Sequence, residues 1–197
     1  TMKNRNSMRD SRNVKKICLP LKLKNLIFKN HNLRIAVAFL SALVASSLLM
    51  DFPIFAEPLS NAAATQTFAE VLASVTGTLI QWAGYQVNVN QTSIMFSTDN
   101  GVYFDFGCLG YREIIWFATF MLIIYGPVKH KLWYIPIGFI MLQISNILRA
   151  FTIAVTNYHS PKSFDTVHAQ GSLWYMYGTI LILWILWLHA WNKKPTT

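Results

Sequence analysis

The chain has 197 residues, of which 53% are hydrophobic and only 13% charged, about half the roughly 25% of a typical soluble domain. That length suits one domain with a core rather than two, and the deficit of charge places the chain in lipid. The formal net charge of +9 does not point to nucleic acid, because ten of the 17 Lys and Arg fall between Lys3 and Arg34 with only Asp10 among them, and a basic tail ahead of an apolar run follows the positive-inside rule instead.

Thr1, ahead of Met2, reads as an expression scar. Residues 1–32 are expected to form a basic cytoplasmic tail, 33–191 a single membrane-embedded domain, and 192–197 a cytoplasmic end. A helix needs about 20 apolar residues to cross roughly 30 Å of hydrocarbon. Residues 33–56 qualify, with RIAVAFLSALVASSLLM at their centre and Asp51-Phe52-Pro53 marking the exit. Residues 59–85 read as an amphipathic helix, with Phe68, Val71, Leu72, Val75, Leu79 and Trp82 on one face and Glu70 opposite. Residues 86–106 alternate in the manner of a β-hairpin, with Asp99-Asn100-Gly101 as its turn signal. A second apolar run, 109–128, carries Arg112 and Glu113 in its first turn, and a third, 132–150, has Arg149 near its end. The fourth, 172–191, is the most hydrophobic, and its Trp and Tyr suit an interfacial belt.

Charge parity orders these segments. The tail, the KHK loop at 129–131 and the NKK terminus should all be cytoplasmic, so an even number of crossings separates the tail from KHK. The first two runs supply that number, which leaves 59–85 outside, on the surface or packed against the bundle. The expected fold is an all-α membrane protein of about four transmembrane helices, with an extracytoplasmic insertion at 57–107 that holds the amphipathic helix and a short β-hairpin. Its place is the cell (inner, cytoplasmic) membrane, as a multi-pass protein with both termini cytoplasmic.

This topology brings three reactive residues to one extracytoplasmic depth: Cys108 ahead of the second span, Arg149 closing the third and His168 ahead of the fourth. Each alone has a plainer reading. A cysteine flanked by Gly107 and Gly110 packs well as a small inert side chain, His168 suits an interface, and an arginine at a helix end reaches for headgroups. Against this, Arg149 is disfavoured on the outer side by the positive-inside rule, and Asn146 lies one turn back on the same face. A charge at the membrane edge points to function. Cys18 falls on the opposite side, so it is not expected to bond with Cys108. The two cysteines build no disulfide framework, and without a CxxC or a Cys/His cluster neither a metal nor a dithiol role is expected.

The chemistry of the three is acyl transfer. The thiolate is the active form of cysteine, favoured at a helix N-terminus and beside a cation. Cys108 is expected to have both, with Arg149 or protonated His168 as the cation. His168 can take the thiol proton and hand it to a leaving amine, and Arg149 can hold the oxyanion or orient the scissile carbonyl. The product is a thioester, resolved by water or an amine. Tyr111, Arg112, Glu113 and Asn146 are candidates to line the substrate, although Arg112 and Glu113 can also pair with each other. Asp165 is a candidate to orient His168, and His159 is the rival base.

CLGYR at 108–112, NILRAF at 146–151 and HAQG at 168–171 together resemble the exosortase/archaeosortase family of membrane-embedded cysteine transpeptidases, in the order Cys, Arg, His and at comparable membrane positions. The resemblance covers residues 86–191. It implies recognition of a C-terminal sorting tail on secreted proteins, made of a short motif, a hydrophobic helix and a basic end. The tail is cut near the motif and the new carboxyl end passed to an acceptor, a lipid or glycan amine, as a surface anchor. It implies Cys108 as nucleophile, Arg149 as the substrate-orienting or transition-state cation and His168 as acid/base. The implied partners are secreted substrates, membrane lipid and that acceptor, with no nucleic acid and no cofactor. Many relatives have more spans, so this chain would be a compact form. Two other readings stay open: a non-enzymatic binding module whose outer hairpin docks a secreted partner, and a structural subunit of a membrane complex with Cys108 as packing.

Overall fold

A computed structural model describes residues 31–96 and 100–191. The basic tail with Cys18, residues 97–99 of the expected hairpin turn and the NKK terminus lie outside the described residues. The first apolar run forms α1 (His31–Asp51). It ends where Pro53 disfavours a helical Phe52, whose ψ is 120°, and Pro53 itself opens α2 (Pro53–Ser60), at a position where its missing N–H has no intrahelical partner to lose. Then come α3 (Ala63–Trp82), the strands β1 (Val87–Asn90), β2 (Ser93–Phe96) and β3 (Gly101–Tyr103), α4 (Tyr111–Ile123) and α5 (Val128–His159). The last helical run, Pro161–Trp191, joins a 3-10 turn, α6 (Phe164–Gly171), a π-helical stretch over Ser172–Tyr177 and α7 (Gly178–Trp191).

Three helices among the described residues are long and apolar enough to cross a membrane: Asn32–Asp51, Val128–His159 and Pro161–Trp191. The run at 109–128 is helical over only 13 residues, because its start is used by the turn that carries Cys108 and its end by the connection into α5. Even so, α4 lies antiparallel to α1 and is fastened to it at both ends. Arg112 pairs with Asp51 at 2.5 Å, and Arg34 Nε donates to the Ile123 carbonyl at 3.1 Å. The α4–α5 connection is held in turn by Trp187 Nε1, which donates to the Tyr125 carbonyl at 3.1 Å, and by Lys131 Nζ, which donates to the Ile124 carbonyl at 2.5 Å. Arg34, Lys131 and Trp187 therefore mark one end of the bundle, and Asp51 and Arg112 the other.

Two cores result. The first lies between α1, α4, α5 and α7 and buries Phe117, Phe120, Met121, Leu142, Trp184 and Trp187; the Phe120 and Trp184 rings stack with centroids 4.1 Å apart. Gly138 makes the α4–α5 approach possible, since a Cβ there would fall 2.2 Å from the Phe117 ring. The second core joins α3 and the sheet to the later part of α5 through Leu72, Ile80, Ile94, Phe96, Leu109 and Ala154.

Several elements depart from the sequence expectation for identifiable reasons. Of the six apolar residues expected to share one face of α3, only Leu72 is fully buried, while Val71, Val75 and Trp82 are exposed. The buried face is instead Thr65, Ala69, Leu72, Ala73, Thr76, Gly77 and Ile80: small side chains let the α3 backbone close on its neighbours, and a Cβ at Gly77 would meet Val89 at 2.3 Å. The expected hairpin is a three-stranded antiparallel sheet in the order β1-β2-β3, with a tight β1–β2 turn at Gln91, whose φ is 49°. Gln-Thr lacks the Asn-Gly or Gly pattern that flags such turns. Arg149 does not close its helix, because α5 continues to His159. Ile153 and Ala154 extend its buried stripe by one more turn, and Ser160-Pro161 supplies the stop.

Gly138→Ala should lower stability by about 1–3 kcal/mol, the usual cost of overpacking. Thermal unfolding in detergent would measure it, and adding Phe117→Leu should recover part of the loss by vacating the contested space.

Candidate active site

A cavity of about 200 Å³ opens between β3, the Cys108 turn, α5 and α6. Cys108, Asn146, Arg149 and His168 all line it, together with residues 101–104 of and just after β3. The structure thus brings together the three residues singled out as catalytic and one of the four singled out for substrate. A larger groove, about 600 Å³, follows the outer face of α1 along Leu33, Leu40, Val44 and Leu48, but it is apolar and contains no group able to do chemistry.

Cys108 ends a single 3-10 turn, Phe106–Cys108, whose closing bond runs from the Cys108 N–H to the Asp105 carbonyl at 2.8 Å. It stands two residues ahead of Gly110, the N-cap of α4, and so precedes that helix as expected. Two side-chain amides from α5 grip the main chain on either side of the next peptide bond. Asn146 Nδ2 donates to the Cys108 carbonyl at 2.9 Å, and Gln143 Nε2 donates to the Leu109 carbonyl at 3.2 Å. Gly110 is required by this arrangement: its φ is +76°, and a Cβ would press Met176 Cε at 3.1 Å and Gln143 Nε2 at 3.5 Å.

Arg149 is only 6% exposed. Its Nη1 donates to Asn146 Oδ1 at 3.2 Å, while its Nε is buried with no hydrogen-bond partner, and among the described residues no carboxylate pairs with it. A guanidinium buried in this way is expensive unless something anionic completes its shell. Asn146, itself 2% exposed, thus joins the main chain of Cys108 to the guanidinium of Arg149.

His168 lies in α6 with its ring stacked on Phe164, centroids 5.7 Å apart. The polar sequence of 161–171 precedes the apolar stretch from Ser172, so His168 stands ahead of the spanning part of its helix. Burial, and secondarily the Arg149 charge, lower its pKa from the ordinary 6.5, against an opposing influence from Asp165. The neutral imidazole is therefore favoured, so Arg149 rather than protonated His168 is the cation of the site.

The remaining candidates are engaged elsewhere. Tyr111 places its hydroxyl 3.3 Å from Thr65 Oγ1 and its ring against Phe106. Arg112 pairs with Asp51, not with Glu113, and Glu113 is buried in the first turn of α4. None of the three lines the cavity. His159 shares a 2.8 Å hydrogen bond with the Tyr85 hydroxyl and also lies outside it. Among the described residues no group of three His, Cys, Asp or Glu is placed to hold a metal ion. Sequence reasoning missed Gln143 and the β3 residues. Gln143 had a readable signal, since Gln143, Asn146 and Arg149 recur every third residue in an otherwise apolar helix.

A family model described as transmembrane exosortase matches residues 28–191. No curated protein and no solved structure matches the chain.

Asn146→Leu keeps nearly the same volume but strips the partners from the Cys108 carbonyl and Arg149 Nη1. It should lower stability by about 1–3 kcal/mol, the cost of leaving buried polar groups unsatisfied, as read by thermal unfolding. A loss under about 0.5 kcal/mol would mean that water replaces both bonds.

Proposed function

The chain belongs to the transmembrane exosortase family, and from that premise we propose that it is a cysteine transpeptidase that cleaves the C-terminal sorting tail of secreted proteins at the outer face of the membrane. The observation that carries this reading is the single cavity lined by Cys108, Arg149 and His168. Neutral His168 takes the thiol proton as Cys108 Sγ attacks the scissile carbonyl. The oxyanion that forms is stabilised by Arg149, which lines the cavity and whose charge acts strongly at low dielectric. Collapse of the tetrahedral intermediate breaks the C–N bond, and His168 returns the proton to the departing amine. The upstream product stays on Cys108 as a thioester until an amine on a lipid or glycan acceptor, deprotonated by His168, displaces the thiol; water in that role gives hydrolysis.

The orientation proposed is that of a multi-pass protein of the inner membrane with both termini cytoplasmic. It is supported by the separation of charges along the bundle. Arg34 and Lys131 gather at one end, through their bonds to Ile123 and Ile124, and Cys108 lies toward the other, next to the Arg112–Asp51 pair. The positive-inside rule then puts the cavity on the outer side.

In membranes carrying a secreted protein with such a tail, Cys108→Ala should reduce processing roughly 10³-fold or more and leave insertion intact. His168→Ala should cost about 10²–10⁴-fold, the usual contribution of a general base, and Arg149→Ala about 10²–10³-fold. Uncut substrate would accumulate in each. Normal processing by the Cys108 variant would end the enzymatic reading. The pH dependence offers a separate check. Lowering the pKa of His168 keeps the base neutral into more acidic solution, so the acidic limb of kcat/KM should fall below pH 6.5; a limb above that value would show that the site stabilises the imidazolium instead.

A further inference from the structure

We propose that the acyl side of the substrate binds as an extended strand against the outer edge of β3, through main-chain hydrogen bonds to Tyr103 and Asp105. This rests on Cys108 being the nucleophile and names how the peptide reaches it. The phase of the β2–β3 ladder carries the inference. Register pairs Ser93 with Tyr103, Ile94 with Val102 and Met95 with Gly101. The Phe104 N–H bonds to the Thr92 carbonyl at 2.8 Å, and the Phe96 N–H to the Asn100 carbonyl at 2.9 Å. In an antiparallel pair, hydrogen-bonded and non-bonded positions alternate, so Asn100, Val102 and Phe104 turn their main-chain groups toward β2. Gly101 and Tyr103 turn theirs the other way, and β3 is the edge of the sheet.

The two ends of this edge are already occupied. The outward carbonyl of Gly101 accepts from Asn157 Nδ2 of α5 at 3.2 Å, and the Asp105 carbonyl is taken by the Cys108 N–H. Between them, among the described residues, nothing pairs with the outward N–H and carbonyl of Tyr103 or with the N–H of Asp105. Tyr103 is 65% exposed and lines the same cavity as Cys108. Exposed strand edges are normally blunted, and this one is left open only beside the reactive thiol. A helical segment satisfies its own main chain and cannot use it; an extended peptide offers N–H and carbonyl groups at alternate residues. Asn157 acts as a stop that limits how far the peptide runs along β3. Bonds on the acyl side also persist after the amine departs, and so hold the thioester in place for the acceptor.

The test compares alkylation of Cys108, in the full chain in detergent, by acetyl-Ala-Ala-Ala-chloromethyl ketone and by chloroacetone, which carries the same electrophile without a peptide, followed by mass spectrometry. In both reagents Sγ displaces chloride, but only the first has a main chain to pair. The wild-type chain should prefer the peptide reagent by about tenfold or more, the scale of one or two hydrogen bonds. N-methylation of the peptide should abolish that preference at one residue and not at its neighbours, as the two-residue period of a strand requires. Tyr103→Pro, which an edge strand tolerates when its N–H faces outward, should abolish it as well. No preference in the wild type, a preference that survives either change, or equal loss at every methylated position would overturn strand addition while leaving Cys108 a reactive thiol. Failure of both reagents to modify Cys108 would remove the nucleophile, and this proposal with it.

Discussion

The Asn146 carboxamide donates to the Cys108 carbonyl and accepts from the Arg149 guanidinium, so the turn that presents the thiol and the helix that presents the cation cannot shift independently. Most of the site's other features serve this one bridge. Gln143 fixes the next carbonyl along, and Gly110 supplies the left-handed backbone that lets the chain leave the grip and enter α4 without a Cβ in the way. The α1–α4 contacts anchor the far side of that turn through Arg112 and Asp51. A site placed in this manner is preorganised by buried side-chain amides that grip the main chain, and preorganisation is the condition under which electrostatic stabilisation is most effective.

Burial of Arg149 sets the electrical character of the pocket. With one of its donors on Asn146 and another unpaired, the guanidinium contributes a field that a neighbouring base must accommodate. Burial first, and that field second, favour the neutral form of His168. On the proposed reading the cation and the base are therefore coupled, although burial is the larger influence on the base. Removing the cation would alter the base, so single substitutions here are not additive.

How much of this was readable in the sequence depended on whether the information was local. Cys108, Arg149 and His168 could be placed at one depth because apolar runs and basic loops encode topology directly, and the antiparallel bundle then brings them to one cavity. The partner of Arg112 could not be read, since Asp51 is 61 positions away and Glu113 is adjacent. The inner face of α3 was obscured because Val71, Val75 and Trp82 point outward, while Leu72 and Ile80 share the buried face with small residues. The end of α5 was misplaced because Arg149 looks like a terminal charge, whereas the actual stop is Ser160-Pro161. The β1–β2 turn at Gln91 carries no residue that announces it.

The shortness of α4 has a physical consequence of its own. Thirteen residues rise about 20 Å, roughly 10 Å less than the thickness of a hydrocarbon layer. If α4 crosses the membrane as the proposed orientation requires, the mismatch would be relieved by local thinning of the bilayer or by drawing the Cys108 turn below headgroup level. On the proposed orientation, either geometry puts the thiol close to the acyl chains of the outer leaflet. On the proposed reading, a thioester formed there competes for an amine brought in by lateral diffusion within the membrane, while water reaches it from one direction only. The partition between anchoring and hydrolysis would then be governed by lipid thickness as much as by the side chains of the pocket.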